Sequence, residues 1–138
     1  MAENSEQARD EIGTFILPFW NTASANAPLA FDNKSFDRPY TPALWGRLHI
    51  IHYQGSRASL GPNARFRNPG RIFIQVFAPV GTGMNSLNQV STALKEAFED
   101  AGSVGNIWFR DAGAREVGTD GDYYQVNVEV DFTYDRVT

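Results

Sequence analysis

His49 and His52 are the only histidines in the chain, and they are the side chains best suited to proton transfer or metal binding. Their spacing works against both uses. Three positions apart on an expected strand, they point to opposite faces and cannot chelate one ion. A catalytic triad needs a histidine oriented by an acid, and no Asp or Glu occurs between Arg38 and Lys95. Any such support would have to fold in from a distant segment. Gly81-Thr82-Gly83 lies between an expected strand and an expected helix, as a phosphate-binding turn would. Ser86 stands where the third glycine of that fingerprint belongs, and no Lys-Ser/Thr pair follows. The simpler reading is a helix-entry turn. Asp32 and Asp37 lack the spacing of a calcium loop and read as solvated loop carboxylates. Glu99-Asp100 reads as a solvated helix end, although acids there oppose the helix dipole. Trp20, Trp45 and Trp108 read as core or interface anchors in preference to a base-stacking platform. With no cysteine, disulfides, thiolate metal sites and cysteine nucleophiles are excluded together. The expectation is a protein without catalytic residues, metal or cofactor.

Charge carries more information than any single motif. The net charge is −4, but the segment from Arg38 to Lys95 holds Arg38, Arg47, Arg57, Arg65, Arg67, Arg71 and Lys95 with no acid, a net of +7. Residues 1–37 carry a net −4 and residues 96–138 a net −7. Ten of the twelve basic residues are arginine, the side chain that pairs with carboxylates in a bidentate fork. Such a division either disperses over the folded surface or makes a bipolar subunit whose basic surface meets an acidic one on another copy or a partner.

The elements that would position these groups can be read in order. Ala8, Ile12, Phe15, Ile16 and Phe19 recur at helical spacing over residues 5–20, with Ser5 and Glu6 at the start and Pro18 as a kink or early stop. Residues 21–42 form an extended connection pinned by Phe31, Phe36 and Tyr40. A strand follows from Leu44 to Tyr53. Residues 54–69 hold two glycines, two prolines and three arginines, and read as a long hairpin arm with a short strand near Arg57–Leu60. The central unit spans residues 71–101: a strand with Ile72, Ile74 and Val76 on one face, a stop at Pro79, and a helix capped by Thr82. That helix carries Leu87, Val90, Leu94, Ala97, Phe98 and Ala101 on one stripe and ends at Gly102. Asn106–Arg110 and Ala114–Val117 read as strands separated by a turn near Asp111–Gly113. After the turn cluster Gly118–Asp122, the residues Tyr124, Val126, Val128, Val130, Phe132 and Tyr134 alternate with polar neighbours, as in an antiparallel strand with one solvated face. The expected fold is α+β: one domain over residues 1–138, a mainly antiparallel sheet with two helices on one face, and a long β-hairpin arm. No run approaches the ~20 apolar residues that span a bilayer. The acidic residues near the start do not suit a signal peptide, so assembly in the cytoplasm is expected.

Taken in order, these features resemble a known family. Trp45-Gly46-Arg47-Leu48, Leu60-Gly61 of the arm, Gly70 ahead of Ile72–Pro79, Gly81-x-Gly83, and Val117-Gly118 followed by Tyr123-Tyr124-Gln125-Val126-Asn127-Val128 resemble the tail terminator (tail-completion) proteins of long-tailed bacteriophages. Order and length over nearly the whole chain carry the resemblance. It implies a structural subunit, not an enzyme, that closes into a sixfold ring on the finished tail tube at the head–tail junction of the virion. Its implied partners are further copies of itself, the tail tube protein and the head–tail connector or stopper protein, with DNA passing through the lumen unbound. No membrane is involved. The arm arginines Arg57, Arg65 and Arg67, on a loop long for an idle one, are expected contacts to a neighbouring subunit or the tube, the alternative being a solvated hairpin tip. Glu129 and Asp131, on the polar strand face, become expected lumen-facing acids, because fixed positive charge would hold sliding DNA. The alternatives are a head-completion or connector ring protein, a nucleic-acid-binding module using the arm, and a small enzyme with a cleft above the sheet.

Overall fold

The structure is a computed structural model that describes residues 2–32, 34, 36 and 43–137. Helix α1 spans Ser5–Ser24. Asn4, not Ser5, caps it, its side-chain oxygen accepting from the Gln7 N–H at 2.9 Å. The buried stripe is Ala8, Ile12, Ile16 and Trp20, a strict four-residue repeat. Phe19, expected on that stripe, is turned outward, and Trp20 takes its place. Pro18 does not end the helix. Both Pro18 and Thr14, the residue whose carbonyl loses its partner, are exposed residues on the outer side of the helix.

The connection after α1 contains a strand that the sequence pattern did not reveal. Strand β1, Leu29–Phe31, runs parallel to β2, Trp45–His52, with Ala30 opposite Arg47. Phe31 and Phe36 both anchor this region, Phe31 against the main core and Phe36 on Trp45. Tyr40 and Asp37 lie outside the described residues. Strand β3, Ser56–Arg57, begins the arm, and β4 runs from Arg65 to Pro79. The expected central strand is therefore extended by six residues at its start, through the return limb of the arm. Helix α2 is Asn85–Ala101. Its N-cap is Met84 and not Thr82, whose hydroxyl donates to the Pro79 carbonyl at 2.7 Å and closes the preceding turn. Leu87, Val90, Leu94, Ala97 and Phe98 are buried, Ala101 is exposed, and Gly102 takes the positive φ that ends the helix.

Strands β5 (Ser103–Val104), β6 (Ile107–Asp120) and β7 (Tyr123–Val137) complete the sheet. The expected turn at Asp111–Gly113 is a bulge inside the continuous strand β6, with Asp111 at φ 51°. Among the described residues the sheet order is β1-β2-β4-β7-β6-β5, with β3 pairing β4, and every pairing except β1–β2 is antiparallel. The architecture is α+β, with two helices on a mostly antiparallel, curled sheet. Strands β4 and β7 pair along fifteen residues without a register shift, roughly 50 Å at the usual rise.

Two glycines show how closely aromatic rings press on the strand backbone, one ring coming from α1 and one from β7. A Cβ on Gly46 would stand 2.3 Å from the Trp20 ring, and one on Gly70 would stand 2.3 Å from the Phe132 ring and 2.5 Å from the Ile51 carbonyl oxygen. Both glycines are places where an aromatic ring lies directly on the strand backbone. The Trp20 indole N–H donates to the Ala27 carbonyl at 2.8 Å, which ties the helix end to the segment leading into β1.

Candidate functional site

The face of the sheet opposite the helices is the polar one, and alternation along β2, β4, β7 and β6 decides which side chains reach it. Arg47, His49, Arg67, Arg71, Gln75, Asn127, Glu129, Asp131, Asp135, Trp108, Arg110 and Arg115 share its parity. At its centre Glu129 lies between two guanidinium groups. Arg115 Nε donates to Glu129 Oε2 at 2.9 Å, and Arg71 reaches Glu129 Oε1 at 3.4 Å. Arg71 also donates to Asp131 at 2.8 Å, which raises the guanidinium's pKa above its ordinary value. Glu129 and Asp131, the expected lumen acids, are thus brought together on the open face, half-buried and charge-paired. Arg71 and Arg115, which complete the group, were not singled out from the sequence. Their register opposite Asp131 and Asn127 becomes visible only once the strands are paired.

The three arm arginines do not form one cluster. Arg67 pairs with Asp135 across β4 and β7 through two hydrogen bonds, 3.0 and 3.1 Å. Its partner therefore comes from the far end of the same chain. Arg57 faces the other way: its guanidinium lies 4.9 Å from the Phe66 ring centroid, and Arg136 lies at the same distance from that ring. Arg65 is exposed beside them in sequence, on the parity of Arg67. Between the two arm strands the tip carries Leu60, which is 89% exposed. Trp108, expected as a core or interface anchor, is 61% exposed and lines a hollow with Arg67, Arg110, Thr133 and Asp135. Trp20 and Trp45 are fully buried.

The opposite end of the open face is apolar. Trp45 stacks on Phe77 at 4.3 Å between centroids and on Phe36 at 5.2 Å, with Tyr123 edge-on. Tyr123 therefore breaks the expected alternation, being buried from the polar side by this cluster.

Asp32 is not a solvated loop carboxylate. It accepts from the Ile50 N–H at 2.9 Å, meets His49 Nδ1 at 2.7 Å and pairs with Arg9 of α1. Partial burial pushes its carboxyl up, but the Ile50, His49 and Arg9 contacts outweigh that and hold its pKa below the usual carboxylate value. Arg9 also donates to the Ile50 carbonyl at 3.3 Å. Together the two side chains satisfy the edge of β2 just where β1 stops pairing with it, and so blunt an open strand edge. The two histidines do separate to opposite faces. His52 packs edge-on to Phe132, and its Nε2 is buried without a hydrogen-bond partner among the described residues. Burial, then the positive charge of Arg9, hold its pKa below the ordinary histidine value. Among the described residues no group of three His, Cys, Asp or Glu side chains could hold a metal, and no helix is long and apolar enough to cross a membrane.

Beside Asp32, α1 and the β1–β2 edge enclose a groove of about 510 Å³. Its walls include Gly13, Thr14, Leu17, Phe31 and Leu48, with Arg9, Asp10, Asp32 and Lys34 among its charged residues.

No family model and no curated protein matches the sequence. The fold, however, is shared with solved structures. One of them, whose name states no activity, superposes over 99% of this chain and 97% of its own at a TM-score of 0.69 and 18% identity. Another is a chain from the virion of a native gene transfer agent particle, covering 84% of both chains at a TM-score of 0.53 and 16% identity.

Proposed function

We propose that this chain is a virion structural protein that closes into a ring on the end of a tail tube, stops its growth and offers the head a docking surface. The observation that carries this reading is the superposition on the gene transfer agent virion chain over 84% of both molecules. The resemblance of the sequence to tail terminator proteins adds the position in the particle. In this reading the protein acts by assembly and not by catalysis, and its partners are further copies, the tube protein and the connector or stopper.

The open face gives DNA passage a physical form. Glu129 and Asp131 are matched against Arg71 and Arg115. If this face lines the lumen, their task is to cancel those two central arginines, so that a sliding duplex meets less positive charge there than the arginines alone would present. Replacing both acids by Gln and Asn should leave Arg71 and Arg115 uncompensated and give salt-sensitive binding to duplex DNA in a filter assay. Unchanged binding would remove this face from the lumen.

The capping role is tested by adding the purified protein to polymerising tube subunits and measuring tube lengths by negative-stain microscopy. Capped tubes of bounded length and end-on rings are expected; tubes that lengthen as they do without the protein would overturn the proposal. Light scattering at rising salt should show the ring weakening as exposed charge pairs are screened.

A further inference from the structure

Leucine at the tip of a polar arm calls for an explanation. Leu60 lies in the connection between β3 and β4, beside Gly61 at φ 86°, with nearly all its surface in water. The neighbouring residues that shape the tip, Ser59, Pro62 and Asn63, are turn formers, for which an apolar tip residue is not needed. The groove between α1 and the β1–β2 edge is the reverse case: Gly13, Leu17, Phe31 and Leu48 make a partly apolar concavity, and Leu17 remains 37% exposed.

The tip cannot fill the groove of its own subunit. Ile50, at the groove, is opposite Ile72, while the arm joins the sheet at Arg65. Seven residues of strand, about 23 Å, separate the two levels, and the tip lies beyond the last β3–β4 pair, Arg57 with Phe66. Charge also separates the two surfaces. The arm, residues 54–69, holds Arg57, Arg65 and Arg67 and no acid, and of these Arg67 is already engaged by Asp135. Glu3, just ahead of α1, and Glu6 and Asp10 in its first turns face solvent, and the one arginine there, Arg9, is already engaged by Asp32. Lys34, across the groove, lies 5.6 Å from the Phe31 ring centroid.

We infer that Leu60 of one subunit inserts into the α1–β1 groove of a second copy, with Arg57 and Arg65 of the arm lying along the acidic start of that copy's α1. The occupant is another copy of this chain. The tip and the groove are different surfaces, so the contact is heterologous and repeats head to tail, closing into the ring of the reading above where its rotation permits. This deepens the ring reading above and rests on it. It also gives the exposed leucine a use that a passive loop would not.

The absence of cysteine permits a direct test. Leu60→Cys and Thr14→Cys are made in separate preparations; both positions are exposed, so both variants should fold. Mixed and oxidised, they should yield a covalent dimer that neither preparation gives alone, and the double variant should yield a ladder ending at the ring. Leu60→Ser should keep the wild-type melting temperature but raise the concentration for assembly about tenfold or more, the scale of burying one leucine. Rings seen by light scattering without the mixed dimer, or unaffected by Leu60→Ser, would overturn this contact and leave the ring standing. A protein that stays monomeric and fails to cap tubes would overturn both.

Discussion

The two faces of the same long strands are held in different ways. On the covered face of β4 and β7, Ile72, Ile74, Val76, Val126, Val128, Val130 and Phe132 are buried under the helices and need nothing but shape. On the open face, one residue along, Arg71, Glu129 and Asp131 are held by ion pairs that water still reaches. The first arrangement has a large free energy and tolerates little change. The second has a small one, because exposed pairs give back in desolvation and side-chain entropy most of what they gain. The difference teaches where stability and where surface chemistry reside: they are separated by the thickness of one strand.

The sharpest way to break the comparison is to put a charge on the covered face. Val128→Asp should prevent folding, since the carboxylate would be buried between Ile74 and Ala114 with no partner. Circular dichroism should show loss of the cooperative melt. A native-like melt would mean that the faces are reversed. Gly46→Ala comes next. The added methyl would meet the Trp20 ring at 2.3 Å, and a loss on the order of 1–3 kcal/mol is expected in urea denaturation. No loss would show that α1 can lift from the strand freely.

Acid should distinguish the regions by pH. The folded-state pKa of His52 lies below 6.5, so the unfolded chain takes up its proton first, and stability falls as pH drops below 6.5 toward the depressed value. Asp32 is also depressed, from 3.8. Its stabilisation is present above that value and is lost as pH falls through the folded-state pKa. His52→Leu should flatten the upper limb of a melting-temperature profile and Asp32→Asn the lower one. A profile unchanged by His52→Leu would show that this ring does not titrate differently on folding. The smallest effect is expected on the open face. Glu129→Gln keeps an acceptor between Arg71 and Arg115 and should cost no more than about 1 kcal/mol. A loss as large as that of Val128→Asp would erase the distinction.

How much of this could be read beforehand follows from where the ordering forces are local. The alternation from Tyr124 to Tyr134 and the stripe of α2 up to Phe98 are periodic, and each placed the core face correctly, because one solvated face imposes a period on the sequence. Strand β1 was not legible. Three residues, Leu29–Phe31, have no period, and they become a strand only because β2 supplies partners from seventeen residues away. The bulge in β6 was read as a turn for a similar reason: Asp111-Ala112-Gly113 has turn composition, and only its pairing with β7 keeps the strand going. At the proposed surfaces, Glu129 and Asp131 were visible as polar alternates, but the arginines that neutralise them were not. Arg71 and Arg115 lie 44 positions apart in the chain, and no sequence signal links them across two strands. Asp32 has the sequence surroundings of a solvated loop carboxylate, because its partners Arg9 and His49 come from two other elements.

The unbroken pairing of β4 with β7 has a mechanical consequence. The arm's return limb, Arg65–Pro69, is not hinged to the body; it is the first third of a strand whose remainder passes through the core. Tension applied to the tip along that strand loads its fifteen rungs in shear, all at once, instead of opening them one after another like a zipper. A neighbour that gripped the tip would therefore be pulling on Ile72, Ile74 and Val128. The arm would yield only when the molecule did.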